Sequence, residues 1–360
     1  MSDHDPGNSR PASRWGGGFT SYSSPKPAPS PEAARMQSLY KSAVAELFRG
    51  RADLARASVE ELARALPQDP QVQHLTRQAA IIAFDWPAER ESLAAAQRDP
   101  PAQDAIDLVA FHVQMPLAPS GIHAPIDYME VLALSFESAK LRAPKARRIL
   151  LTDEKTAVPD SLPVDRVMRS PIDPERLMFE RMRVQELYLR DRDPARASVM
   201  MDSDVVVNAD PVGVFTEAFD IGLTWRPEFP DAPFNGGMIY VPEGKGGHAF
   251  IVKALACYEA FAVDPAVARL YPKSLKAWWG DQFALALLVG YRAYAERSSD
   301  TLGVDGLRVR LFPCSDYNFT LEADRNYTRD ELRRKRFIHF KGNRKAMQSQ
   351  YLERMRAGEL

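Results

Sequence analysis

Asp202-Ser203-Asp204 places two carboxylates one residue apart, between the apolar run Ala197 to Met201 and Val205-Val206-Val207. In extended backbone, residues i and i+2 project to the same side. Both aspartates can therefore offer oxygens to one hard divalent cation. A strand-ending turn satisfies the same letters, so the metal reading needs structural context. A second group of chemically suited residues stands at Gly342 and Lys345. Glycine lets backbone approach a phosphate, and a lysine ammonium neutralises one. Asn235-Gly236-Gly237 and Gly280-Asp281-Gln282 add an amide beside two glycines and an acid–amide pair that follows Trp278-Trp279. Amide, acid and glycine together suit a polar binding site with close backbone approach; a turn, a helix cap and a plain core are their structural alternatives.

The elements that must position these residues follow from pattern. Residues 1–34 are rich in Pro, Ser and Gly, which predicts a disordered tail. Residues 35–100 are Ala/Leu/Arg-rich, with apolar positions at spacings near three and four. They predict paired helices of tetratricopeptide-like character that pack on the main domain, with a partner-docking role as the alternative. From Pro101 short apolar runs alternate with helices, the sign of an α/β domain. Strands are predicted at Ile106–Val113, Arg148–Asp153, Val167–Pro171, Ala197–Met201, Ile221–Trp225, Gly237–Val241 and Val309–Pro313. Helices are predicted at Tyr128–Leu141, Pro174–Leu189, His248–Phe261 and from Trp278 through Leu288. Strand, helix, strand, helix, strand is a doubly wound half, which binds ligands at the carboxyl ends of its strands. Asp153 and Asp202 fall at such ends. Residues 346–360 predict a charged terminal helix.

Composition narrows the function. The 360 residues predict a large domain and a smaller one, at roughly 100–200 residues per domain. A net charge of −1 argues against a nucleic-acid binder that works by phosphate neutralisation. No apolar run approaches the roughly 18 residues of a membrane span, and the first residues lack a secretory pattern. The expectation is a soluble, cytoplasmic protein, with peripheral membrane association left open. The two cysteines, Cys257 and Cys314, sit in apolar surroundings and offer neither a disulfide framework nor a cysteine-rich zinc site.

Asp202-Ser203-Asp204, Phe234-Asn235-Gly236-Gly237-Met238, Gly280-Asp281-Gln282 and His339-Phe340-Lys341-Gly342-Asn343-Arg344-Lys345 stand in that order. Together with Leu150-Leu151-Thr152-Asp153 and the helix bearing Arg181, they resemble the motif series of GT-A fold glycosyltransferases, the nucleotide-diphospho-sugar transferase superfamily, and most of all glycosyltransferase family 8. The likeness spans residues 106–345. It departs from the family 8 pattern where Ala346-Met347 follows Lys345 in place of Pro-Trp.

The resemblance implies a GT-A domain over 101–345, built on a doubly wound mixed sheet flanked by helices. It implies a metal-dependent glycosyltransferase of hexosyltransferase type, which moves a sugar from a nucleoside diphosphate sugar, expected to be a UDP-sugar, to a saccharide, lipid-linked glycan or protein acceptor. Asp202, Asp204 and His339 would hold Mn2+ or Mg2+, with Mn2+ the natural match to carboxylates plus imidazole. Asp153 would read the base. Arg181, Ser203, Gly236, Gly342 and Lys345 would contact the donor. Asp281, Gln282 and Asn235 would contact the sugar near the reacting carbon, and Asn318 resembles a late Tyr-Asn or Trp-Asn element at the periphery. Family 8 implies retention, the departing phosphate taking the acceptor's proton; an inverting enzyme needs a carboxylate base, with Asp281 the first candidate. The alternatives are a sugar nucleotidyltransferase, which expects a Gly-rich basic loop where Gln114 to Pro119 stand, and an inactive fold relative that docks partners through its N-terminal helices.

Overall fold

Ser30 and Pro31 start the first helix before the predicted tail ends at residue 34. The Ser30 hydroxyl accepts from the Ala33 N–H at 3.2 Å, and Pro31 takes the first helical position, where a missing N–H costs nothing. The computed structural model describes residues 30–48, 52–83, 90–114, 126–226, 233–262, 280–289, 301–322 and 325–360. The body of the predicted tail lies outside them. Three helices follow: α1 (Pro31–Phe48), α2 (Ala52–Ala65) and α3 (Pro70–Ala83). Asp69 caps α3 by accepting from the N–H groups of Gln71 and Val72 at 2.8 and 3.1 Å. Ala43, Leu47, Val59, Leu62 and Leu75 bury against one another in a cluster of their own. The helices thus satisfy one another's apolar stripes.

The region is also not helical through residue 100. Strand β1 (Arg90–Ser92) joins the sheet edge. The doubly wound half then runs as predicted: β2 (Ile106–Phe111), α4 (Tyr128–Arg142), β3 (Arg147–Thr152), β4 (Arg166–Arg169), α5 (Leu177–Asp191) and β5 (Ala197–Asp202). After it come β6 (Val205–Val207), β7 (Ile221–Trp225), β8 (Phe234–Val241), α6 (Gly246–Ala262), α7 (Gly280–Val289), β9 (Thr301–Val304), β10 (Leu307–Pro313) and β11 (Phe337–His339). The main sheet has the order β1-β9-β10-β7-β8-β5-β2-β3-β4. Strands β5, β2, β3 and β4 are parallel, whereas β8 is antiparallel to both β5 and β7. The sheet is therefore mixed, flanked on one side by α5, α6 and α7 and on the other by α4.

Strands β6 and β11 form a separate antiparallel pair. The three valines of β6 are all buried, as a strand covered on both faces requires. The terminal helix spans Gln348–Arg356, two residues later than residue 346, because Gly342–Met347 winds as a 3-10 helix. Its Tyr351, Leu352 and Met355 pack with Phe340 and Ile338, so residues beyond 345 share the core that holds β11. No helix among the described residues is long and apolar enough to cross a membrane.

At the other end of the strands, Asp107 of β2 is fully buried. Its oxygens accept from Arg147 at 2.8 and 2.7 Å, Arg196 at 2.8 Å and Tyr188 at 2.8 Å. Burial raises the carboxyl pKa, but these donors outweigh it and hold it below the ordinary range. A depressed folded pKa stabilises the fold above the unfolded value of about 3.9 and loses that contribution as pH falls through the folded value. Asp107→Asn should lower the unfolding free energy at pH 7 by about 3 kcal/mol and flatten the loss of stability below about pH 4. Urea unfolding at both pH values checks this; wild-type stability in the variant contradicts it.

Candidate active site

The carboxyl end of β5 delivers Asp202, and the chain turns at Ser203 and Asp204 before β6 begins. Pairing of β6 with β11 sets His339 opposite Val205. The Phe340 N–H continues that ladder to the Asp204 carbonyl at 2.9 Å, while the His339 N–H donates to Phe319 O at 2.7 Å. Backbone bonds thus carry an imidazole from far down the sequence onto the aspartate turn. One ligand atom each from Asp202, Asp204 and His339 lies within 4.8 Å of the others. His339 Nε2 is 3.0 Å from Asp204 Oδ1 and 3.7 Å from Asp202 Oδ2.

Two oxygens and one imidazole nitrogen form a donor set suited to a divalent transition ion. The neighbouring backbone leaves room for it only because residue 237 is glycine. A Cβ there would stand 2.7 Å from Asp202 Oδ2, 2.7 Å from His339 Cε1 and 2.8 Å from Asn235 Oδ1. Lys345 Nζ sits 2.7 Å from Asp204 Oδ2 and lies over the Tyr128 ring. Burial raises the Asp204 carboxyl pKa, yet His339 and Lys345 outweigh it and hold the group well below the usual range. Gly342, at the start of the turn that presents Lys345, has φ of 59°, a conformation that favours glycine.

Arg181 is the other centre of the site. Its α5 face is buried, in contrast to the solvated helix face that its arginine neighbours suggest. One terminal nitrogen pairs with Asp202 Oδ1 and the other with Asp281 Oδ2, and the second also donates to the Gly236 carbonyl at 3.1 Å. Burial lowers the guanidinium pKa, but Asp202 and Asp281 outweigh it and leave it above its usual value. Burial pushes the Asp281 carboxyl up, against the pull of Arg181. Its Oδ1 is buried without a hydrogen-bond partner among the described residues. A Cβ on Gly236 would meet Asp281 Oδ2 at 2.5 Å and the Arg181 nitrogen at 2.7 Å. The glycine pair thus lets a strand pass between an ion pair and the carboxylate–imidazole group.

Other predicted residues have more qualified placements. Asp281 and Gln282 open α7, and Gln282 Oε1 accepts from Arg226 at 3.2 Å; Trp278 and Trp279 lie outside the described residues. Asn235 stands within β8 and is not in a turn before it. Asp153 Oδ1 accepts from the Thr156 N–H at 2.7 Å, so that oxygen caps a turn. Asn318, placed at the periphery by sequence, is fully inside: its Oδ1 faces His339 Nδ1 at 2.9 Å. Lys341 went unnoticed. It is partly buried near Asp202, Asp204 and Arg226, and burial together with Arg226 lowers its pKa. Its place two residues after His339 was the available signal.

No family model matches the chain, and no curated protein matches it. Among solved structures, it resembles the galactosyltransferase LgtC in complex with donor and acceptor sugar analogues. That likeness has 12% identity and a TM-score of 0.43, covering 70% of this chain and 96% of that one. A glycosyltransferase involved in the glycosylation of the major capsid of PBCV-1 aligns at 12% identity and TM-score 0.38, over 69% of this chain and 98% of that one. An active-site mutant of LgtC gives 12% and 0.41, over 70% and 95%. Scores of this size decide no activity, which rests on the side chains described above.

Removing the shared cation should expose the strain of the carboxylate cluster. Arg181→Met is expected to lower the unfolding free energy by about 3–5 kcal/mol, the usual consequence of leaving buried charge unpaired. Denaturant unfolding reads this, and a loss under about 1 kcal/mol contradicts the ion-pair assignment.

Proposed function

We propose that the protein is a metal-dependent glycosyltransferase that takes its sugar from a nucleoside diphosphate sugar. The observation that carries this reading is the meeting of Asp202, Asp204 and His339 within 4.8 Å at the carboxyl end of β5. Lys345 and the Arg181–Asp281 pair border the same place. A divalent cation held there, Mn2+ by the chemistry of the ligand set, offsets the charge that builds on a departing diphosphate.

The chain's own residues would do the rest. Lys345 puts a positive charge beside Asp204, where phosphate oxygens need neutralising. Ser203 and Gly342 offer close backbone approach on either side of the metal ligands. Arg181 fixes Asp202 and Asp281 relative to each other, so metal and sugar contacts keep one geometry. Asp281 Oδ1, with no hydrogen-bond partner among the described residues, is an acceptor suited to a donor-sugar hydroxyl, with Gln282 and Asn235 beside it. Asp153 has one oxygen in its turn cap and a second to accept a base N–H, the role the resemblance implies for it. Retention, with the departing phosphate taking the acceptor's proton, fits an Asp281 whose other oxygen is occupied by Arg181. The acceptor is a hydroxyl of a glycan, lipid-linked glycan or protein.

Slow hydrolysis of UDP-, GDP- and ADP-sugars with Mn2+ tests the reading. A UDP-sugar should be turned over, and Asp204→Ala should lower that rate by at least roughly 100-fold in a variant that still unfolds cooperatively. No hydrolysis of any donor, or unchanged hydrolysis in the variant, contradicts it.

A further inference from the structure

The orientation of His339 is set by a chain of buried hydrogen bonds that runs away from the metal ligands. Asn318, Thr224, His339 and Asn235 are all buried. The chain can be assigned atom by atom from its one unambiguous end. The Gly237 backbone N–H can only donate, and it reaches Asn235 Oδ1 at 2.9 Å. That atom is therefore the amide oxygen, and the Asn318 atom 3.0 Å from it must be the amide nitrogen. Thr224 Oγ1 gives its hydrogen to the Asn235 carbonyl at 2.8 Å, so it accepts the second Asn318 hydrogen at 3.2 Å. Asn318 Oδ1, an acceptor only, is then left facing His339 Nδ1 at 2.9 Å. The hydrogen of a neutral His339 ring must sit on Nδ1.

We infer that Asn318 is a positioning residue: it locks His339 in the Nδ1–H tautomer, which turns the lone pair of Nε2 toward Asp202 and Asp204. This inference rests on the metal reading above and extends it from three ligands to the residue that makes one of them competent. A histidine ligates through an unprotonated nitrogen, and the partner of its other nitrogen decides which one that is. Solvent cannot take over the role, because the amide and its partners are buried. Loss of the Asn318 oxygen frees the ring to place its hydrogen on Nε2, which sits 3.0 Å from an Asp204 oxygen that would accept it. The tautomer that cannot ligate is then the favoured one. The same chain ties Asn235, beside the glycines of β8, to His339 at the end of β11, so side chains link two strands of different sheets.

Mn2+ uptake by the full chain, read from the electron paramagnetic resonance of free Mn2+, tests the assignment without any substrate. Wild type should bind, and His339→Ala should bind far more weakly. Asn318→Leu should weaken binding roughly 10–100-fold while thermal unfolding stays cooperative. In the His339→Ala background, Asn318→Leu should change affinity by no more than about twofold, since a residue that acts only through His339 is not additive with its loss. Affinity within about twofold of wild type in Asn318→Leu, or the same loss in both backgrounds, overturns the inference. Should the leucine variant fail to fold, Asn318→Ser, which ends short of Nδ1, is read in the same way. Absence of Mn2+ binding by wild type overturns the metal reading itself, and with it this extension.

Discussion

Three carboxylates, from Asp202, Asp204 and Asp281, are held close together at the carboxyl end of one sheet, and their negative charge must be compensated where water has little access. Arg181 spans Asp202 and Asp281, while Lys345 and His339 face Asp204. Removing two unit charges from water is expensive unless the pairing is close and hydrogen-bonded. The fold therefore depends on delivering a guanidinium, an imidazole and an ammonium from separate parts of the chain to one point. Helix α5 brings the guanidinium; strand β11 and the turn after it bring the imidazole and the ammonium. Glycines 236 and 237 let β8 run between them, where a side chain would collide with Asp281, Asp202 and His339.

This arrangement separates fixed from exchangeable charge. Arg181 is buried and contacts two carboxylates and a backbone carbonyl, so it acts as part of the scaffold. Lys345 and His339 contact the remaining oxygens of the aspartate turn through single close approaches. A divalent cation and a diphosphate would draw on those contacts and leave the scaffold pair in place. The opposite end of the strands shows the structural version of the same physics: Asp107 is compensated by Arg147, Arg196 and Tyr188, every group is internal to the protein, and no ligand is needed. A carboxylate cluster with glycines where side chains would block it differs from a structural ion-pair network in that respect.

Much of this was legible in the sequence. Apolar runs bounded by polar turns located β2, β3, β5, β7, β8 and β10, whereas the i, i+2 argument treats Asp202 to Asp204 as extended and the chain instead turns at Ser203 and Asp204. Strand β11 was hidden because its three residues, Phe337 to His339, pair with a strand distant in sequence, and no local period marks a partner chosen by tertiary contact. Strand β1 was lost for the same reason. The extent of α1 was missed because Ser30-Pro31 completes a Pro-rich stretch as readily as it starts a helix. Arg181 shares α5 with Arg183 and Arg190, and only the packing of α5 distinguishes the buried one. Asn318 carries no motif of its own; its importance lies in geometry, since an amide orients a neighbour only when both its ends are fixed.

On the proposed function, Asp202, Asp204 and His339 hold a divalent cation through which a nucleoside diphosphate binds. Titration calorimetry of UDP into the protein, with and without Mn2+, is its most direct measure. Mn2+ should strengthen UDP binding by at least about tenfold, worth about 1.4 kcal/mol, in wild type and not in a variant with Asp202 and Asp204 both replaced by Asn. UDP affinity that is indifferent to Mn2+ in wild type, or an equal gain in the variant, would contradict it.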